Sequence, residues 1–108
     1  MIEEAHTLRV RVLLSVQRAL WGEISSQLRA VVCSWEDSRV AVDCYFDGEI
    51  SGDDLESVTR VEAEVTADFP EYTVVARAVR LDFPNALRFP PSMHLVYLRK
   101  ETIQPKFE

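Results

Sequence analysis

The period of hydrophobic and polar positions changes along the chain, and each change predicts an element. Between residues 4 and 21, Leu8, Val12, Val16 and Ala19-Leu20 fall on one side of a helix. Arg18 stands in its last turn and Gly22 follows Leu20-Trp21, both helix-stop signals. Leu8, Val10, Val12, Leu14 and Val16 also alternate, so residues 4–12 read as helical or extended; the segment as a whole is taken as a helix. Residues 28–35 and 39–47 then read as strands rich in Val, Ala and aromatic residues, joined by a turn at Glu36-Asp37-Ser38. Setting Trp35 opposite Val40 gathers Val31, Cys33, Trp35, Val40, Val42, Cys44 and Phe46 on one face. The other face carries Ala30, Val32, Ser34, Ala41, Asp43, Tyr45 and Asp47, so the first is the core face.

Ser51 is an N-cap candidate, with Asp54 three residues on in a capping-box pattern. Leu55, Val58, Val61, Val65 and Phe69 form the apolar stripe of a second helix, which Pro70 ends. Glu62 lies inside that stripe by angle, which leaves it either a rim carboxylate or a buried acid. Strands follow over Tyr72–Leu81 and Met93–Lys100. Between them residues 82–92 form a proline-containing loop without a ladder, tucked down by Phe83, Leu87 and Phe89, and the polar tail from Glu101 frays. The order is αββαββ in a single α+β domain spanning residues 1–108: a four-stranded antiparallel sheet with two helices packed on one face and the other face open.

Charge sharpens this picture. Residues 43–71 hold ten carboxylates and one base, Arg60, a formal charge of −9, whereas the other 79 residues carry a net +3. A field this local steers a partner of opposite sign. The acidity, with a pI near 4.9, argues against binding nucleic acid or anionic membranes. No apolar run exceeds four residues, too short to span a bilayer, and Met1-Ile2-Glu3-Glu4 lacks a basic leader, so a cytoplasmic protein is expected. Cys33 and Cys44 then read as reduced core thiols.

No chemistry-bearing motif rises above background. Asp47 to Asp53 mimics the start of a calcium loop, but Val58 stands where a bidentate Glu is required. His6 and His94 have no zinc spacing, and no nucleophile or phosphate-loop motif occurs. No cofactor, metal or enzymatic activity is expected.

Four pieces of the chain resemble a family of small acidic bacterial proteins. They are Ser15-x-Gln17-Arg18-Ala19-Leu20-x-Gly22-Glu23-Ile24, Leu28-Arg29-Ala30-Val31, Tyr45-Phe46-Asp47-Gly48-Glu49 and Glu64-Val65-x-Ala67-Asp68-Phe69. The family is the immunity proteins of contact-dependent growth inhibition and related polymorphic toxin systems. Trp21 and Ser25-Ser26-Gln27 depart from its pattern. The resemblance implies a non-enzymatic protein that neutralises a cognate toxin C-terminal domain. Such toxins are often nucleases, whose phosphate-holding clefts are basic, and carboxylates can stand in for the phosphates. The expected partner surface is Asp43, Tyr45, Asp47, Glu49, Asp53, Asp54, Glu56 and Arg60. Tyr45 and Trp21 are candidate anchors, although core packing is the commoner fate of a Trp. The alternative is a structural or regulatory module, monomeric or weakly homodimeric through the open sheet face.

Overall fold

The computed structural model describes residues 4–102 together with the backbone of residues 106–107. Helix α1 spans Ala5–Ala19, which resolves the ambiguity of the first segment in favour of the helix. Its apolar side buries Val12, Val16 and Ala19, and Leu20 follows them into the core. The chain then leaves through Trp21 and Gly22, the latter at φ +77°, a conformation that glycine adopts without strain.

Strands β1 (Leu28–Glu36) and β2 (Arg39–Phe46) form the expected hairpin, with Trp35 opposite Val40. Its turn is tighter than expected. Asp37 and Ser38 alone make it, at φ +48° and +63°, the handedness that suits the twist of the flanking strands. Every residue assigned to the core face of this hairpin packs in the helix-covered core.

Helix α2 spans Gly52–Asp68, and the Ser51 hydroxyl accepts the Asp54 N–H at 3.1 Å. Such a cap contributes about 1 kcal/mol. Val58, Val61, Val65 and Phe69 are buried as the stripe predicts, but Leu55 is 50% exposed, because its first-turn position lies off the side that meets the sheet. Strand β3 spans Thr73–Arg80, β4 Arg88–Phe89, β5 His94–Leu98 and β6 Lys106–Phe107.

The sheet order is β3-β2-β1-β5, and it is mixed rather than antiparallel. β3 runs parallel to β2. The reason is geometric. α2 covers about 25 Å at ~1.5 Å per residue and β2 about 26 Å at ~3.3 Å per residue. The helix thus carries the chain back along the whole strand before β3 begins, which makes a parallel β-α-β unit. β5 is antiparallel to β1, on the opposite edge from β3, so the expected second hairpin does not form.

The connection from β3 to β5 must therefore cross the sheet, and it does so on the face away from the helices. Leu87 and Phe89 are buried there against Ala30 and Val32, with Tyr45, Leu81 and Met93 beside them. The face expected to be open, and to serve a homodimer, is covered by this segment over Ala30, Val32 and Tyr45, while Ser34 and Ala41 stay half-buried and Val75 exposed. Nor is the segment free of ladder. Arg88 and Phe89 pair in parallel with Lys106 and Phe107, in a two-residue stretch lying between the prolines. Glu101, expected in a fraying tail, is sealed inside, its side chain 3% exposed.

Glu62 resolves in an unexpected way. It is half-buried, and its carboxylate accepts the Ala76 N–H at 2.9 Å. β3 is an edge strand, and Glu62 satisfies one of its unpaired donors from the helix above.

Candidate functional site

The acidic stretch separates into carboxylates held by internal partners and carboxylates left to solvent. Asp43 is held. Its register partner on β3 is Arg77, whose Nε and Nη2 donate to the two carboxylate oxygens at 2.9 and 2.8 Å. The Asp43 side chain is only 7% exposed. Tyr45, next but one along β2, packs edge-on against Phe89 at 5.4 Å between ring centroids. Burial, and then the neighbouring Asp43 charge, push its phenol above the ordinary range. Both residues are expected on an open face; Arg77 closes over Asp43, and the crossing segment packs on Tyr45.

Asp47 is a junction. It accepts the Phe83 N–H at 3.0 Å and pairs with Arg99 at 3.1 Å, and these two contacts, in that order, hold its carboxyl below the usual range. The adjacent Gly48 N–H donates to Asp82 at 2.9 Å, and φ +81° at Gly48 turns the chain toward α2. The turn after β2 and the start of the crossing segment thus clasp each other. Asp54 is buried at the N-cap.

Glu49, Asp53 and Glu56 remain at the surface. Glu49 and Asp53 have no hydrogen-bond or ion-pair partner among the described residues, and Glu56 has only a 3.8 Å contact with Arg60. Arg60 is itself committed to Glu23, with Nε 3.1 and 3.0 Å from its two oxygens. Ser57 donates to the same carboxylate at 2.8 Å. Arg60 first, helped by Ser57, lowers the Glu23 pKa against the opposing effect of burial.

A groove of about 690 Å³ lies beside this cluster, between the C-terminal part of α1 and the outer side of α2. Ala19, Ala63 and Ala67 supply its small apolar surface, and Trp21 stands at its border, 72% exposed. The expectation that Trp21 packs in the core is thereby corrected, since Leu20 fills the core in its place. At the far end Asp68 ties the helices together: the Ser15 hydroxyl donates to it at 2.7 Å and Arg18 approaches to 3.6 Å. Glu64, on the same groove, has no partner among the described residues.

The sequence reading missed Arg29. β1 bulges there, since Leu28 pairs with Phe46 and Ala30 with Tyr45, leaving Arg29 as the extra residue. The bulge returns Leu28 to the helix-covered core, and Arg29, fully buried, reaches Glu101 and the Leu81 carbonyl. An Arg inside an otherwise apolar strand is the one signal that pointed to it.

Among the described residues no group of three or more His, Cys, Asp and Glu side chains is placed to hold a metal ion. No described helix is long and apolar enough to cross a membrane.

Comparison with curated proteins finds no match. Comparison with protein families does: the family described as MafI2 immunity protein matches residues 9–101. This agrees with the resemblance to bacterial polymorphic-toxin immunity proteins, although Maf systems are related to contact-dependent growth inhibition rather than part of it. The matched span takes in α1 from Arg9 onward, all of α2, the whole four-stranded sheet and Glu101, and on that basis the chain belongs to the MafI2 immunity protein family.

Proposed function

We propose that this protein is a cytoplasmic, non-catalytic inhibitor that binds and neutralises a cognate toxin domain. The observation that carries the reading is the family match over residues 9–101. The partner is a basic, nuclease-type domain, and it meets the surface built from Asp43, Tyr45, Asp47, Glu49, Asp53, Asp54, Glu56 and Arg60. Within that set the uncommitted charge sits on Glu49, Asp53 and Glu56, which hold the long-range attraction. Asp43 and Asp47, already paired with Arg77 and Arg99, fix the shape of the same region.

The test is co-expression with the cognate toxin domain, sought among the polymorphic-toxin C-terminal domains encoded in the same genome. The reading predicts that the chain restores growth and co-purifies with that domain. Growth arrest that persists at equal expression, with no complex recovered, contradicts it.

A further inference from the structure

Trp21 is the most exposed large apolar side chain among the described residues, at 72%. Trp carries a larger apolar surface than any other side chain, and leaving it in water is unfavourable. The fold does not need it outside. Leu20 closes the end of α1, and Gly22 turns the chain away. Beside it, the alanine-lined groove leaves space for an incoming side chain.

The charges around the groove indicate what kind of surface fits. Its two cations are spent, Arg18 on Asp68 and Arg60 on Glu23. Glu64 is unspent, and Glu56 and Asp53 extend the acid along α2. Any charge still to be matched is therefore negative. Helix α1 adds no acid from Ala5 to Ala19.

We propose that Trp21 and the α1–α2 groove are the anchor point for the toxin domain, with Trp21 entering an apolar pocket and Glu64 meeting a lysine or arginine. This rests on the reading that the chain binds a toxin, and it adds where the affinity resides. Tryptophans set in a desolvated centre and ringed by polar contacts carry a large share of interface energy. A second copy of this chain fits less well, because it would bring one −6 protein against another.

The experiment is surface-plasmon binding of the toxin domain that this chain neutralises in co-expression to wild type, Trp21→Ala, Glu64→Lys and Leu55→Ala. Leu55 serves as a control, an exposed apolar residue on α2 outside the groove. Trp21→Ala raises Kd by ~30-fold or more, mainly through faster dissociation. Glu64→Lys slows association in low salt, and Leu55→Ala changes neither rate. Urea melts of the variants overlay that of wild type. A wild type that does not bind overturns the toxin-binding reading and the anchor with it. Binding that is tight in wild type and unchanged in Trp21→Ala overturns the anchor alone. Sedimentation of the free protein as a dimer that Trp21→Ala dissolves also overturns the anchor, by assigning the groove to self-association.

Discussion

Arg29 and Glu101 join the start of β1 to the segment just after β5 by two parallel hydrogen bonds of 2.8 Å, with both side chains sealed from solvent. Arg29 also donates to the Leu81 carbonyl at 2.7 Å, and Arg99 links Glu101 to Asp47. Removing Glu101 leaves the Arg29 charge buried without a counter-ion, and removing Arg29 leaves Glu101 only its contact with Arg99. Arg29→Met and Glu101→Leu should each cost about 3–5 kcal/mol, whereas the double substitution should recover much of that loss. Urea denaturation of the two single variants and the double variant checks this.

The same pair sets an acid limit. The Arg29 contact, opposed by burial and aided by Arg99, holds the Glu101 pKa below its ordinary 4.5. A carboxylate with a depressed folded pKa contributes stability that is present above its unfolded pKa and lost as pH falls through the folded one. Asp47, Asp82 and Glu23 are shifted in the same direction. The urea midpoint should hold from pH 7 to about 5 and then fall steadily below about 4.5. Arg29→Met should flatten part of that fall.

Val65 is fully buried at the centre of the α2 stripe, and Glu64 beside it is exposed. Val65→Ala should cost about 1–3 kcal/mol through lost methyl contacts and the cavity left behind. Glu64→Ala should stay within about 0.5 kcal/mol. Equal losses in a urea melt would contradict the observed phase of α2.

Glu62→Ala strips the Ala76 N–H of its partner and should cost about 1–2 kcal/mol, while Glu62→Gln keeps an acceptor and should cost less. Amide hydrogen exchange at Ala76 reads this directly: it should accelerate in the Ala variant and change little in the Gln variant.

Cys33 and Cys44 are both free thiols within the helix-covered core, where burial pushes each pKa up to about 12. The thiolate is the reactive form. A thiol reagent at pH 8 should therefore label neither cysteine in the native protein and both after unfolding. Rapid native labelling would contradict the packing of this core.

The first hairpin was legible in the sequence because one face alternates without a break from Val31 to Phe46, and Trp35 and Val40 fix the register. Both helices were legible from their stripes and stops. The direction of β3 was not, because a period of two looks the same in parallel and antiparallel strands. The length of α2 held the missing information, since a crossover helix returns the chain to where β2 began. From that single error followed the open face, and with it the exposure expected of Asp43 and Tyr45. Arg29 escaped the reading because a bulge breaks the alternation used to assign faces. Trp21 was weighed by the usual burial of its type, and a residue just beyond a helix end has no periodic position from which to judge it.

In the proposed function, the uncommitted acidic charge of Glu49, Asp53 and Glu56 attracts a basic toxin domain. The association rate with the toxin domain that this chain neutralises in co-expression, for wild type and for the double variant Asp53→Lys with Glu56→Lys, at low and high salt, measures that attraction. The prediction for wild type is roughly 10⁷–10⁹ M⁻¹s⁻¹ in low salt, falling steeply as ions screen the field. The double variant should associate more slowly in low salt and converge on wild type in high salt, with its melting temperature unchanged. Association that is independent of salt and equal in the two proteins would contradict the claim.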